Sequence, residues 1–217
     1  MHTNNNAVKK TFVLVVLFIF PLVAYLFFAS GVNNFGRLPI LTENIDDISS
    51  IDPSKTLDGK ITILGFLGNQ LENQKTIALN LNQKIYKPFF EFTDFQFMML
   101  VPKGMEDEAE ELKYELSQLE DISRWNFVFA DDLQIQQLFS SLRTDLSLGS
   151  NMGSPYVFII DKDRNLRGRD DDEDEGVKYG FKATSVAELN NKMEDDVKII
   201  LAEYRLALKK NNASRSK

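Results

Sequence analysis

The sequence predicts an α/β domain with a mixed sheet, preceded by one hydrophobic helix near the N-terminus. Three observations lead to this prediction. Short apolar runs rich in β-branched and aromatic residues alternate with segments in which apolar residues recur every three or four positions. An uncharged run, Thr11–Ala29, comes before them. The length of 217 residues suits one domain plus such a helix, since domains average roughly 100–200 residues.

The run Thr11–Ala29 predicts a transmembrane helix. At about 1.5 Å per residue it nearly matches the ~30 Å hydrocarbon core of a bilayer. Lys9 and Lys10 precede it, and Arg37 is the only basic residue soon after it. The positive-inside rule therefore predicts a cytoplasmic tail at residues 1–10 and an extracytoplasmic C-terminal domain. The alternative is a cleaved signal peptide, although the run is longer than the usual apolar region of such peptides.

The composition excludes several kinds of chemistry. The chain has no cysteine, which excludes disulfides, thiolate catalysis, iron–sulfur clusters and thiolate metal sites within it. Its only histidine is His2, in the N-terminal tail, so the domain has no imidazole. Residues 30–217 hold 23 basic and 32 acidic residues, a net charge of −9, which argues against binding to nucleic acid. We therefore expect no cofactor and no nucleic-acid partner.

The remaining chain divides into a linker and domain entry at residues 30–57, a domain at residues 58–210, and a polar tail at residues 211–217. The predicted strands are Lys60–Phe66, Phe95–Val101, Asn126–Ala130 and Tyr156–Asp161, with Asn165–Arg169 as the hairpin partner of the last. The predicted helices carry apolar faces at Ile77–Phe89, Ala109–Leu119, Leu138–Leu142 (capped by Asp131 or Asp132) and Val186–Leu208. This order predicts a three-layer sandwich with a mixed central sheet.

The same order of elements resembles the thioredoxin-like superfamily. Ser154–Pro155 precedes the fourth strand, where thioredoxin-like domains place a cis-proline, so the resemblance implies a cis bond at Pro155. The alternative is an ordinary trans-proline at the start of a strand. Tyr156–Arg169 resembles the FLID-x-x-G-x-(I/L)-R-G hairpin of these proteins. The resemblance covers roughly residues 58–208.

Together with the N-terminal helix and the long last helix, that hairpin is similar in particular to the SCO/SenC family. These are membrane-anchored proteins that handle copper for respiratory oxidase assembly. The resemblance implies a single-pass protein of the cell (inner) membrane with its C-terminal domain in the periplasm.

The chemistry of that family is missing from this chain. SCO/SenC proteins carry a CxxxC pair just after the first core strand and a distant histidine, which together bind copper. Here Gln70 and Gln74 fall roughly where the cysteines would be, and amides are poor ligands for Cu(I). Copper delivery and thiol–disulfide exchange therefore do not carry over. The remaining candidate site is a vestigial cleft formed by Gly68, Asn69, Gln70, Gln74 and Pro155.

Acidic residues after the fourth strand form a second, weaker candidate site. Asp161, Asp163 and Asn165 have the D-x-D-x-N opening of a calcium loop, but the glycine and glutamate of its sixth and twelfth positions are absent. A turn between two strands explains the pattern equally well. The run Asp170–Glu175 is more typical of a solvated, mobile loop than of a cation or partner site. The weak candidates in this region are Asp161, Asp163, Asp170, Asp171 and Asp172.

The methionines invite comparison with thioether copper sites. Core packing is the favoured interpretation, because the two in the second strand would point to opposite faces of a buried sheet. The residues concerned are Met98, Met99, Met105, Met152 and Met193.

These observations lead us to expect a non-catalytic, membrane-anchored binding or assembly protein with a thioredoxin-like scaffold. Its expected partners are the lipid bilayer, through Thr11–Ala29, and a protein in the membrane or periplasm. Two alternatives remain open. One is a structural subunit of a membrane complex, and the other is an enzyme that uses the thioredoxin-fold cleft without cysteine.

Overall fold

The structure, a computed structural model, describes residues 4–29 and 36–215. It divides into two compact units, with the boundary between Gly36 and Arg37. The first unit contains one helix, α1 (Asn4–Ala29), which begins earlier than predicted and ends at the predicted residue. Within the described residues, α1 is the one helix long and apolar enough to cross a membrane. His2 lies outside the described residues.

The second unit is organised around a seven-stranded mixed sheet and a separate two-stranded hairpin. Its strands in chain order are β1 (Ile40–Thr42), β2 (Ile61–Leu67), β3 (Phe95–Pro102), β4 (Trp125–Ala130), β5 (Gly153–Ile160), β6 (Leu166–Arg167), β7 (Arg169–Asp172), β8 (Gly176–Lys178) and β9 (Phe181–Lys182). The order in the sheet is β1-β6-β5-β2-β3-β4, with β9 beside β5. β2, β3 and β4 are parallel, whereas β5 is antiparallel to β2 and β6 to β5. The predicted core strands and the predicted β5–β6 hairpin are confirmed.

Helices connect these strands and cover both faces of the sheet. They are α2 (Leu71–Leu81), α3 (Lys87–Phe89), α4 (Glu106–Ser117), α5 (Asp132–Ser141), α6 (Val186–Glu188) and α7 (Glu194–Arg215), with π-helical turns at Asn82–Tyr86 and Leu189–Met193. Two predicted apolar-face positions are wrong. Leu119 follows the end of α4 and is exposed, and Val186 is exposed at the start of α6.

The sheet has a hydrophobic core on each face. Successive strand residues point to opposite faces, so Met99 packs in the core formed with α2, α4 and α7, whereas Met98 packs in the core formed with α5. Met193 is fully buried, and Met105 and Met152 pack against the two cores from partly buried positions. The predicted packing role of the methionines and the predicted three-layer sandwich are confirmed.

The chain from Arg37 to Asp58 is packed into the second unit. β1 pairs antiparallel with β6, and Ile45, Ile48 and Leu57 are buried. The pairing adds an edge strand beyond the β5–β6 hairpin. Of the segment predicted as a linker and domain entry, residues 30–35 lie outside the described residues.

Candidate functional site

The candidate cleft lies at the carboxyl end of β2, where the strand leads into α2. Gly68 has φ +71°, in the left-handed region that favours glycine. A Cβ atom there would lie 2.6 Å from the carbonyl oxygen of Asn151 and 2.8 Å from the amide nitrogen of Gly153. The amide of Asn69 donates to the carbonyl of Asn151 at 2.9 Å. The end of β2 is therefore held by backbone contact against the loop that leads into β5.

Neutral amides occupy the start of α2. The side chains of Asn69 and Gln70 are exposed, and Gln70 Oε1 accepts a hydrogen bond from Asn73 Nδ2 at 3.1 Å. Gln74 lies one turn further along and is half-buried. Its Oε1 is buried without a hydrogen-bond partner among the described residues. A buried amide oxygen without a hydrogen-bond partner lowers the stability of the folded state. The presence of a glutamine at position 74 is therefore not explained by a contribution to stability.

The bond before Pro155 is trans, so the prediction of a cis-proline is wrong. The described residues contain no cis peptide bond. Pro155 is the third residue of β5, between Gly153, which pairs with Leu67, and Tyr156, which pairs with Lys182. Because the residues before and after Pro155 are both paired with neighbouring strands, this segment of the chain stays extended. Pro155 is exposed and lies at the same end of the sheet as Gly68 and Gln70.

The cleft contains few groups capable of chemistry. Within residues 68–74 the one ionisable side chain is Glu72, whose carboxylate pairs with Lys75 Nζ at 3.0 Å. Amide side chains donate and accept hydrogen bonds but do not act as acids, bases or nucleophiles near neutral pH. The donor set also does not fit Cu(I), which prefers thiolate and thioether ligands. This surface is equipped for hydrogen bonding and shape recognition.

Asp161 stabilises the turn between β5 and β6. Its Oδ1 accepts hydrogen bonds from the amides of Asp163 and Asn165 at 2.9 and 2.8 Å. Its Oδ2 accepts from Arg167 Nη1 at 3.0 Å and from Asn165 Nδ2 at 3.2 Å. Because a carboxylate has about four acceptor sites, these four donors saturate Asp161. Among the residues with described side chains, no group of three or more His, Cys, Asp or Glu is arranged to hold a metal ion.

The acidic run after β6 was predicted to be a mobile loop. This prediction is wrong for Asp170, Asp171 and Asp172, which belong to strand β7 of a hairpin. β7 pairs antiparallel with β8. Asp170 and Asp171 are exposed, whereas Asp172 is buried and accepts from Lys192 Nζ at 2.7 and 2.9 Å. Burial is the largest single influence and would raise the pKa of Asp172, but the hydrogen bonds from Lys192 and from the amide of Asp174, together with the charges of Lys192 and Lys178, outweigh it and lower that pKa. The carboxylate therefore stays ionised inside the protein.

Further buried ion pairs join the hairpins to the C-terminal helical segment. Arg169 binds Asp196 through two hydrogen bonds of 2.8 and 2.9 Å, a bidentate geometry. The side chain of Lys178 is 1% exposed and lies 2.8 Å from Glu188. We call the whole set the ionic seam, which consists of Asp161, Arg167, Arg169, Asp172, Glu175, Lys178, Glu188, Lys192, Asp196 and Glu203.

Arg167 is the buried arginine of the seam that bridges two acids. Its side chain is 4% exposed and binds Asp161 at 3.0 Å and Glu203 at 2.7 Å. Its Nε also donates to the carbonyl of Leu38 at 2.8 Å. Sequence reasoning missed this role, because the partners of Arg167 lie up to 129 positions away along the chain. For the seam as a whole, one signal was visible locally in the sequence. Lys192 and Asp196 are four residues apart, a spacing that places both side chains on one face of a helix.

The strand order decides the fold. A β-α-β unit, β2-α2-β3, is followed by the antiparallel pair β5–β6 and a C-terminal helix, in the order β3-β2-β5-β6. The fold is thioredoxin-like. The resemblance predicted from the sequence is therefore confirmed at the level of the fold.

Comparison with known proteins gives structural similarities alone. No protein-family model matches the chain, and no curated protein matches it. A SCO1/SenC family lipoprotein from Bacillus anthracis is 18% identical, with 79% of this chain and 99% of that one covered and a TM-score of 0.44. The soluble domain of Sco1 from Bacillus subtilis is 11% identical, with 76% and 95% covered and a TM-score of 0.43.

A third similar structure is the thioredoxin domain of a thiol-disulfide oxidoreductase from Bacteroides vulgatus. It is 13% identical, with 76% of this chain and 98% of that one covered and a TM-score of 0.40. These similarities concern overall shape, and they say nothing about the chemistry of this chain.

Proposed function

We propose that this chain is a non-catalytic, membrane-tethered thioredoxin-like protein that binds a protein partner through its cleft surface. The observation that carries the proposal is the pair of neutral amide side chains, Gln70 and Gln74, at the start of α2. Gln70 and Gln74 fall roughly where the SCO/SenC resemblance implies the two copper-binding cysteines, and the chain has no cysteine. A scaffold that retains its fold while it lacks these groups is suited to binding.

The backbone around the cleft supports a binding role. The close contact of Gly68 with Asn151 and Gly153 fixes the end of β2 against β5. A surface held in this way loses little conformational entropy when a partner binds. Asn69 and Gln70 are exposed beside this contact and offer amide donors and acceptors, and the exposed ring of Pro155 adds an apolar surface. The partner surface that fits them is uncharged and able to form hydrogen bonds.

Helix α1 supplies the proposed tether. Its apolar stretch would hold the domain at the cell (inner) membrane, with the domain in the periplasm. Tethering confines the domain and a membrane-bound partner to the same thin layer, which raises their effective concentration without any further contact. The expected result is that the full chain stays with membranes after carbonate extraction. A mature protein that begins near residue 30 and is released by carbonate would contradict the tether.

Charge insertion into the cleft tests the binding proposal. Tagged full-length protein is purified from membranes of the cells that make it, as wild type, Gln70→Arg and Gln118→Arg. Gln118 is a matched control, because it is an exposed glutamine just after α4, at the other end of the sheet. We expect one partner to be recovered with wild type and Gln118→Arg, and its recovery to fall at least tenfold with Gln70→Arg.

Two results would contradict the proposed function. One is equal recovery of every co-purified protein with Gln70→Arg and Gln118→Arg. The other is stoichiometric Cu(I) binding or oxidoreductase turnover by the purified full chain, since the proposal assigns neither activity to it.

A further inference from the structure

A cavity of about 240 Å³ lies at the opposite end of the sheet from the cleft, at the amino end of β2. Its apolar walls come from Ile61, Phe92, Leu201 and the ring of Tyr204. Phe92 is 40% exposed, so its ring is accessible from the cavity mouth. The cavity is smaller than the roughly 300–1,000 Å³ typical of pockets for drug-sized molecules, so it suits a small ligand.

The side chains that line this cavity include two cations and one acid, although the domain as a whole is acidic. Lys162 and Arg205 line it together with one acid, Asp94. Asp94 contacts the ammonium group of Lys162 and lies 3.7 Å from that of Lys60. The hydrogen bond from Lys162 is the main reason that the pKa of Asp94 is lowered. The charge of Asp94 is therefore already balanced by two lysines.

Arg205 is the cation of this cavity that is left for a ligand. It is exposed on α7 and has no ion-pair partner among the residues with described side chains. Lys162 is held in place, because its Nζ lies 5.5 Å from the centroid of the Tyr204 ring. A guanidinium matches a carboxylate through two parallel hydrogen bonds. The cavity thus combines an apolar wall with a cation able to receive an anionic head.

We propose that this cavity binds a small carboxylate that carries an aromatic or aliphatic body. The body packs against Phe92 and Leu201, and the carboxylate faces Arg205 and Lys162. Burial, together with the nearby carboxylates of Asp161 and Asp163, raises the pKa of Tyr204. Its hydroxyl therefore remains protonated and donates to Asp163 Oδ2 at 3.4 Å, which orients the ring that forms part of the apolar wall. This site is separate from the cleft and does not depend on the function proposed for it.

Titration of the full chain with matched probes tests this inference. The probes are 4-phenylbutyrate, 4-phenylbutanol and 4-phenylbutylamine, added to isotope-labelled protein in nanodiscs, with amide chemical shifts as the readout. We expect saturable shifts at Asp94, Lys162 and Tyr204 with 4-phenylbutyrate, at a dissociation constant on the order of 1 mM for a ligand of this size. The alcohol and the amine should bind at least fivefold more weakly.

Two variants and a control link the binding to the cavity. Arg205→Gln should weaken 4-phenylbutyrate binding three- to tenfold, and because Arg205 is exposed and unpaired, the variant should fold normally. Lys162→Gln should also weaken binding. Lys113→Gln on α4 removes one positive charge elsewhere and should leave the affinity unchanged. Equal binding of acid and alcohol, or unchanged binding by Arg205→Gln, would overturn the inference.

A carboxylate beside an apolar group occurs both in free organic acids and at peptide C-termini. N-acetyl-Leu-Phe as its free acid and as its amide distinguishes these sources. Tighter binding of the peptide acid than of 4-phenylbutyrate would assign the cavity to a chain terminus. The reverse order would assign it to a free acid.

Discussion

The polar side chains of the cleft and of the ionic seam differ in charge and in exposure. At the cleft, exposed neutral amides such as Gln70 surround a backbone contact, and no charged pair is buried. In the seam, charged side chains such as Arg167 and Asp172 are almost completely enclosed and paired. Breaking a buried pair costs much more than removing an exposed polar group. The buried charges of the seam hold the architecture together, and the exposed amides of the cleft support the proposed binding role.

The largest effect should come from breaking the seam at Arg167. Arg167→Met leaves the carboxylate of Asp161 buried without its cation, and we expect a loss of about 3–5 kcal/mol in the free energy of unfolding. Urea unfolding of the full chain in detergent measures this, with the fluorescence of the single, buried Trp125 as the signal. The control Lys198→Met removes an exposed pair and should change stability by less than about 0.5 kcal/mol. A loss below about 1 kcal/mol for Arg167→Met would show that the seam is not structural.

Within the cleft, the backbone contact should matter more than the side chains. Gly68→Ala places a Cβ 2.6 Å from the carbonyl oxygen of Asn151 in a left-handed conformation, and we expect it to cost about 3 kcal/mol. Gly59 has the same φ of +71° with nothing within 4 Å of a Cβ, so Gly59→Ala should cost about 1 kcal/mol. Urea unfolding compares the two variants. Equal losses of stability in the two variants would mean that the backbone around Gly68 has room for a Cβ atom.

Acid should weaken the seam at Asp172. The pKa of Asp172 is lowered in the folded protein, so its contribution is present above its unfolded pKa of about 3.9 and is lost as the pH falls through the folded value. Asp172→Asn should therefore cost about 1.5–3 kcal/mol at pH 6, and the gap to wild type should narrow as the pH falls below about 4. Unfolding free energies from pH 6 to pH 2 measure this. Asp170→Asn, at an exposed position, should show no such gap, and a constant gap for Asp172→Asn would refute the pairing.

The smallest effect should come from Gln74. Its Oε1 is buried without a partner among the described residues, so Gln74→Leu removes an unsatisfied acceptor. We expect a change within about 0.5 kcal/mol, or a small gain in stability. A loss above about 2 kcal/mol, measured by urea unfolding, would show that the amide of Gln74 supports the fold.

The fold was predictable where a segment carries its own pattern. β2 and β3 are short apolar runs with both faces covered, and both were predicted to within one residue. β1 is only three residues long, too short to show a period, and it pairs with a strand more than a hundred positions away. β7 contains Arg169 and three aspartates, a composition poor for a strand, and it is stabilised by Lys192 and Asp196 of the C-terminal segment.

The candidate sites, too, were predictable only where the signal lies within one segment of the sequence. Gly68, Gln70 and Pro155 lie at one end of the sheet, and the carboxyl end of a strand is visible in the sequence, whereas their role as a cleft stays a prediction. The trans bond at Pro155 depends on pairing to β2 and β9, and this pairing cannot be seen locally. The cavity at the other end draws on separate segments, from β2 to α7, with no shared motif.

Photo-crosslinking from the cleft asks whether this surface touches a partner in the cell. A photoreactive amino acid replaces Gln70 in the full chain, or Gln118 in the control, and the proteins are irradiated in the cells that make them. We expect one discrete crosslinked partner from position 70 and none from position 118. The same adducts from both positions, or none from position 70, would contradict a binding role for the cleft.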